Sequence, residues 1–227
     1  MKETENQKEM DKKSLTYEEF LNPPLEDFLR EAKAQYSFKR QGEYTLEDYY
    51  ALPDDQRVEL IDGVFFYMLA PYTTHQIAVA EIWRQLAEFV REKGGACRPM
   101  LSPVDVQLDC DDKTMVEPDV LVLCDQSKLR KQCIFGAPDL VMEVLSDSTA
   151  RKDLTVKLDK YMNAGVREYW IVDLKREKVI VHDMTQEGCR TAIYGMDQPV
   201  PVQIFDGKCQ IRFDEICETV RPILKQP

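Results

Sequence analysis

Histidine and long apolar segments are scarce in this 227-residue sequence, and each scarcity excludes a class of protein. With only two histidines and no CxxC spacing among seven cysteines, a structural zinc site is not expected. No apolar run approaches the roughly 20 residues that a membrane-spanning helix needs. The polar start, MKETENQKEMDKK, lacks the apolar centre of a signal peptide. We therefore expect free thiols, no membrane contact and a cytoplasmic location.

Basic residues are outnumbered by acidic ones, 30 to 41, which gives a net charge of −11. This balance argues against broad nonspecific coating of DNA, although a local basic cleft is compatible with an acidic exterior. The apolar fraction of 44% allows a sizeable core. The length suggests one domain of ordinary size with an appendage.

The appendage is predicted at residues 1–40, an N-terminal extension that is partly disordered because its first dozen residues are almost all polar. Leu25, Phe28 and Leu29 recur at helical spacing within it and predict a short amphipathic helix. Residues 41–227 are predicted to form the folded domain. No internal repeat is visible.

The folded part reads as an α/β domain with a mixed central β-sheet flanked by helices. Asp62-Gly63 between two β-rich runs predicts a hairpin. A long helix is expected from Thr73 or Thr74 to the glycine pair at 94 and 95. Apolar runs at 120–123 and 140–145 predict buried central strands. A helix follows at about 153–164, and EYWIVDL and KVIVHDM are predicted as the last strands of the sheet.

Glu143 is the feature of this pattern that needs explanation, because a carboxylate within a buried apolar strand loses its hydration. Asp119 begins the preceding core strand, and neighbouring strands would bring the two carboxylates to one sheet edge. A divalent cation removes their repulsion, and a few carboxylate oxygens completed by water suit Mg²⁺. The competing interpretations are a structural ion pair for Glu143, with Lys157 or Arg151, and a capping role for Asp119 at the start of its strand.

Lys157 lies on the predicted helix after the Glu143 strand. Leu154, Leu158 and Tyr161 follow one another at helical spacing and predict the inward face, with Lys157 at its margin, whereas Lys152 and Lys160 are expected to point outwards. Lys157 could then reach Glu143 and position a water or stabilise a developing negative charge. The alternative is an ordinary solvated lysine.

Five blocks of the sequence, taken in order, carry a family resemblance: RVELIDG, APYTTHQ, EPDVLVL, APDLVMEVLSDST and KLDKYMNAGVREYWIVD. Together they resemble the Uma-two family of restriction-endonuclease-like proteins, within the PD-(D/E)XK nuclease superfamily. The resemblance runs from about Tyr44 to about Asp183. It implies a restriction-endonuclease-like core, phosphodiester hydrolysis with Mg²⁺ or Mn²⁺, and DNA as the partner.

The superfamily pattern maps Asp119 and Glu143 onto the two metal-binding acids. The signature lysine would fall at Leu145, so the sequence departs from the pattern there. The resemblance to the Uma-two family implies that the lysine comes instead from the following helix, as Lys157.

Two further residues match the resemblance. Glu59 in RVELIDG would be a third acid of the metal site or an exposed hairpin residue. His75 in TTHQ would contact substrate or make local hydrogen bonds at its helix start. Glu117 is a weaker candidate, on the same strand face as Asp119.

Two main functions follow from the sequence. The first is a metal-dependent DNA endonuclease. A homodimer would suit this function, because a two-fold enzyme matches a two-fold duplex. The second is a catalytically inactive module of the same fold that binds protein or nucleic acid, which the leucine at position 145 and the negative charge favour. Hydrolysis of a smaller phosphodiester is a third class without separate support.

Overall fold

The structure is a computed structural model, and it describes residues 39–53, 56–146 and 152–226. The predicted N-terminal helix lies outside the described residues, so the division of the chain at residue 40 stays a prediction. No described helix has the length and apolar character needed to cross a membrane.

Four helices and twelve strands follow one another in these ranges. They are α1 (Leu46–Tyr50), β1 (Val58–Ile61), β2 (Val64–Tyr67), α2 (Thr73–Lys93), β3 (Arg98–Leu101), β4 (Val106–Gln107), β5 (Val120–Leu123), β6 (Ile134–Phe135), β7 (Leu140–Val144), α3 (Leu158–Ala164), β8 (Glu168–Asp173), β9 (Lys178–Asp183), β10 (Arg190–Gly195), β11 (Pro199–Val202), β12 (Cys209–Arg212) and α4 (Phe213–Leu224). Short 3₁₀ turns cover Gln126–Lys128 and Gln203–Phe205, and a π-helical turn covers Asp153–Lys157.

The central sheet has six strands in the order β10-β9-β8-β7-β5-β3. The pair β7 and β8 is parallel and all other neighbours are antiparallel. The parallel pair needs a crossover, which α3 and the turn before it supply. The predicted α/β class with a mixed central sheet is therefore confirmed.

Both faces of the sheet are buried, as the continuous apolar runs of β5 and β7 predict. One face packs against α2 and α4, through residues such as Ile82, Leu86 and Ile216. The other face packs against α3 and the segment around β4 and β6, through residues such as Tyr161 and Val106. Because Glu143 alternates with Met142 and Val144, its side chain emerges on the α3 side.

The turn that leads into α3 changes which residues face the sheet. The predicted stripe of Leu154, Leu158 and Tyr161 is wrong in its first member, since Leu154 is 42% exposed. The buried residues are Asp153, Lys157 and Tyr161. The π-helical turn holds more residues per turn than an α-helix, so it rotates Lys157 inwards and Leu154 outwards. The hydroxyl of Tyr169 donates to the backbone oxygen of Asp153 within this turn.

The sheet extends one strand beyond the prediction. β10 pairs with β9 along its whole length, so EYWIVDL and KVIVHDM are not the last strands. Four of the six residues of β10 are exposed, including Ile193. An exposed edge strand lacks the alternation of apolar and polar residues that identifies a half-buried strand, so no periodicity in the sequence indicates β10.

The expectation that all seven cysteines are free is wrong for Cys97 and Cys124, which form a disulfide. They directly adjoin β3 and β5, where Arg98 lies opposite Leu123, so antiparallel pairing brings the two sulfurs together. The other five cysteines are free. The 27-residue separation of Cys97 and Cys124 follows from strand pairing and matches no sequence motif. The cytoplasmic location, which rested on free thiols, stays a prediction.

The predicted hairpin at Asp62-Gly63 is confirmed between β1 and β2, and both turn residues have positive φ. The backbone of Gly63 also binds two other segments. Its oxygen accepts the N–H groups of Gly42 and Tyr44, and its own N–H donates to the backbone oxygen of Lys113. This hairpin carries Glu59 into the interior.

We expect Gly63→Ala to lower the free energy of unfolding by more than about 2 kcal/mol, because strain and a clash act together. A Cβ there would lie 2.5 Å from the Gly42 oxygen. Gly188→Ala is the matched control: its φ is +84° but no atom lies within 4 Å of the added Cβ, so only backbone strain of about 1–2 kcal/mol remains. Urea unfolding of both variants measures the difference, and equal losses would contradict the close contact.

Candidate active site

The strands β5 and β7 place Asp119 and Glu143 opposite each other. Val120 pairs with Met142 in antiparallel register, so the residues one step outside, Asp119 and Glu143, are also opposed. Directly opposed residues have Cβ atoms about 5 Å apart. Asp119 and Glu143 both line one cavity, and the repulsion between their carboxylates has to be balanced by neighbouring groups.

Glu143 is balanced first by α3 and its preceding turn. Lys157 Nζ donates to Glu143 Oε1 at 2.7 Å, and the hydroxyl of Tyr161 donates to the same oxygen at 2.8 Å. Glu143 is 4% exposed and Lys157 3%. Lys157 is therefore not a solvated lysine, and in this protein its ammonium compensates the buried carboxylate.

Glu59 stands on the other side of the same ammonium. Its Oε1 lies 2.8 Å from Lys157 Nζ and accepts the backbone N–H of Glu117 at 3.0 Å. Its Oε2 accepts from Lys152, which also lies over the ring of Phe66. Glu59 is fully buried, so the exposed-hairpin alternative is wrong. Both of its oxygens already have partners, which fixes Lys157 between two carboxylates.

His75, near the start of α2, contacts the other acid. Its Nε2 lies 3.1 Å from Asp119 Oδ2, which also accepts the backbone N–H of Val144 at 2.8 Å. The His75 partner is thus far away in the sequence, and the local hydrogen bonds considered above are not what holds it. Its other nitrogen, Nδ1, is buried without a hydrogen-bond partner among the described residues.

These groups line one cavity of about 320 Å³. Among the described residues, its walls carry five carboxylates, from Glu59, Glu117, Asp119, Glu143 and Asp153, and three basic side chains, from Arg57, Lys152 and Lys157. The formal excess is two negative charges. The cations are engaged by carboxylates: Arg57 pairs with Glu117 at 2.5 Å, and the two lysines are paired as described.

Two of these carboxylates, from Asp119 and Glu143, are suited to bind a divalent cation. Among the described residues, the hydrogen bonds of the two acids go to Asp119 Oδ2 and Glu143 Oε1, which leaves Asp119 Oδ1 and Glu143 Oε2 without a partner in this part of the chain. Within the same part of the chain, no group of three or more His, Cys, Asp or Glu side chains could hold a metal ion. Two oxygens and an excess of two negative charges match Mg²⁺, which often takes one or two carboxylates and completes its shell with water and substrate.

The charges around Glu143 shift its protonation. Burial raises the pKa of Glu143 to about 8, with Lys157 opposing and Asp119 adding to the rise. Burial lowers the pKa of Lys157, but Glu143 and Glu59 together hold it well above its usual value. Burial also raises the pKa of Glu59, yet Lys157 and Lys152 bring it below the ordinary range. Lys157 is thus a permanent cation and cannot serve as a base at neutral pH.

All five predicted site residues, Glu59, His75, Asp119, Glu143 and Lys157, line this one cavity. Sequence reasoning missed Lys152, which it placed outside, and it overlooked Tyr161 and Arg57 as partners. Lys152 directly precedes the π-helical turn that brings Lys157 inwards. A projection that assumes an α-helix therefore gives the wrong direction for the Lys152 side chain. Tyr161 was identified, but only as a core residue.

Comparison with known proteins identifies the family of this chain and a solved structure of similar fold. The model of the Uma2 (Uma-two) family, described as "Putative restriction endonuclease", matches residues 46–211, and the chain belongs to this family. Among solved structures, a "putative nuclease belonging to DUF820" from Anabaena variabilis superposes with a TM-score of 0.64 at 20% identity. The match covers 78% of this chain and 98% of the other. A comparison with curated proteins gives no match.

The raised pKa of Glu143 predicts a pH-dependent stability. Between its ordinary value near 4.5 and about 8, the folded state holds a proton that the unfolded state has released. This group's contribution to stability therefore decreases as the pH rises through that window. We expect Glu143→Gln, which cannot titrate, to gain in stability relative to wild type from pH 5 to pH 8, measured by urea unfolding in EDTA. The exposed Glu187→Gln serves as control, and a pH-independent difference for Glu143→Gln would contradict the prediction.

Removal of the Lys157 ammonium should destabilise the fold more than removal of the Lys152 ammonium. Lys157→Met leaves Glu143 and Glu59 buried without their shared partner, and we expect a loss of about 3–5 kcal/mol of unfolding free energy. Lys152→Met should cost less, because Glu59 keeps Lys157. Adding Glu143→Gln to Lys157→Met should restore part of the loss, and strictly additive effects in this double-mutant cycle would contradict the coupling.

Proposed function

We propose that this chain is a metal-dependent endonuclease that hydrolyses phosphodiester bonds in DNA. The observation that carries the proposal is the pair Asp119 and Glu143, opposed across two central strands with one oxygen each left for a ligand, beside a buried and permanently charged lysine. Membership of the Uma2 family supports the nuclease class. The DNA substrate, Mg²⁺ or Mn²⁺ as cofactor, a homodimeric state and a cytoplasmic location are parts of the proposal.

Asp119 and Glu143 would hold the cation through Oδ1 and Oε2. When bound, such an ion supplies Lewis-acid polarisation of the phosphate. The ammonium of Lys157, 2.7 Å from Glu143 Oε1, lies close enough to stabilise negative charge that develops on the attacked phosphate or to orient the attacking water. This assigns to Lys157 the role that a lysine at position 145 would otherwise have.

Glu59 and His75 act through other residues in this proposal. Glu59, with both oxygens engaged, is a positioning residue that fixes Lys157 and keeps it protonated. His75 orients Asp119 through Nε2, and its Nδ1, which has no partner among the described residues, gives it one polar atom for a water or a substrate oxygen. The predicted contact between His75 and substrate remains part of the proposal.

A non-catalytic binding module is the second candidate, because the Lys157 ion pairs are as buried as those of a purely structural cluster. The two candidates differ in metal binding. The endonuclease requires that Mn²⁺ bind and that Asp119→Asn abolish the binding, as isothermal titration calorimetry can measure. The inactive module predicts no heat of binding at millimolar Mn²⁺.

The test of activity is nicking of supercoiled plasmid with Mg²⁺ or Mn²⁺. We expect wild type to nick, and Asp119→Asn, Glu143→Gln and Lys157→Met to lose at least about 100-fold in rate, since each removes a group that acts on the reacting phosphate. Glu187→Gln, an exposed acid outside the cavity, should retain full activity. Nicking that survives Glu143→Gln would place the activity elsewhere, and its absence in folded wild type would refute the endonuclease.

A further inference from the structure

The segment Tyr67–Tyr72 consists of the last residue of β2 and the loop that joins this strand to α2, and it is called the rim loop here. Residues 68–72 of the rim loop line the cavity together with Asp119, Glu143 and Lys157. Three of its side chains are large, apolar and exposed: Tyr67 at 66%, Leu69 at 76% and Tyr72 at 69%. They are three of the eleven exposed large hydrophobic side chains in the described part of the chain. Such clustering beside a reactive cavity marks a binding surface.

The charge of the cavity argues against attraction of a duplex by its phosphates. Duplex binding commonly depends on unpaired lysines and arginines that replace counterions. Here Arg57, Lys152 and Lys157 are each paired with a carboxylate, and the described residues of the cavity wall have an excess of negative charge. The whole chain has a net charge of −11. Binding energy for a nucleic acid at this place therefore has to come from another part of the nucleotide.

The recessed position of the two acids also argues against an intact duplex at this cavity. Glu143 is 4% exposed, and the side chain of Asp119 is 14% exposed. A phosphate of an intact duplex is fixed to a stacked pair of bases and cannot leave the helix surface freely. An unpaired strand can bend its phosphate into a recess, because its bases are free to rotate away.

We propose that the rim loop binds unpaired bases, so that the substrate is single-stranded or locally unwound DNA. This inference rests on the proposed endonuclease function and specifies its substrate. Tyr72 and Tyr67 offer aromatic faces on which bases stack, and Leu69 offers an apolar wedge of the kind that separates base steps. The bases would lie on the rim loop while the adjoining phosphate enters the cavity next to Asp119 and Glu143.

Binding without turnover tests the stacking. Fluorescence anisotropy in EDTA compares wild type on a labelled 20-nucleotide single strand with the same sequence as a duplex. We expect at least about tenfold tighter binding to the single strand, and Tyr72→Ser should weaken it about tenfold, the size of one lost base stack. Tyr72→Phe should keep the affinity, as should Ile193→Ser, which removes an equally exposed apolar side chain from the sheet edge. Quenching of a 2-aminopurine base by wild type and Tyr72→Phe but not by Tyr72→Ser would report stacking directly.

Cleavage separates failure of this inference from failure of the proposed function. With Mn²⁺, wild type should cut a duplex that contains a short unpaired bubble at least about tenfold faster than a fully paired one, and Leu69→Ser or Tyr72→Ser should reduce that preference. Equal cutting of both substrates, or a preference untouched by either variant, overturns the inference and leaves the endonuclease standing. If no DNA is cut but wild type still prefers the single strand and Tyr72→Ser still loses that preference, the rim loop binds unpaired bases and the hydrolytic function is refuted. Equal binding of single strand and duplex overturns the inference whatever the cutting shows.

Discussion

The ammonium of Lys157 is the group on which this site depends. It lies between Glu143 and Glu59, two carboxylates that are buried and that come from the central sheet and from the β1–β2 hairpin. Glu59 could not stay ionised in that position without a nearby cation, and the ammonium could not be buried without its acidic partners. The hairpin, the sheet edge and the helix after β7 are consequently joined through one charge.

The electrostatic balance of this arrangement also separates the roles of the acids. Glu59 has both oxygens engaged and a lowered pKa, which suits a residue that holds the lysine. Glu143 shares one oxygen with Lys157 and Tyr161 and keeps the other, and its raised pKa reflects burial next to other acids. Among the described residues, the cavity has two carboxylate oxygens without a partner and an excess of negative charge, an arrangement that accepts positive charge. This is the physical basis for the metal site in the proposed function.

The rim loop adds a different chemistry to the same cavity. Tyr72 and Leu69, both exposed, line the mouth, whereas ion-paired charges form the interior. Aromatic faces recognise bases, and the carboxylates and lysine act on a phosphate, so the two halves of a nucleotide correspond to the two zones. The negative charge that disfavours a duplex surface is tolerable for a strand held by its bases.

Much of this protein follows from its sequence, because the features concerned are local. Asp62-Gly63 specifies its hairpin through positive φ, and the apolar runs around Val120 and Leu140 specify strands buried on both faces. The pairing of Asp119 with Glu143 was predictable from their positions on consecutive core strands. Lys152, the exposure of Leu154, the edge strand β10 and the Cys97–Cys124 disulfide were not. Each depends on contacts between distant segments or on the π-helical turn at Asp153–Lys157, and a helical projection assumes 3.6 residues per turn. The sequence by itself determined the central strands and the acids they carry; only the packing of the helix against the sheet decided which lysines reach them.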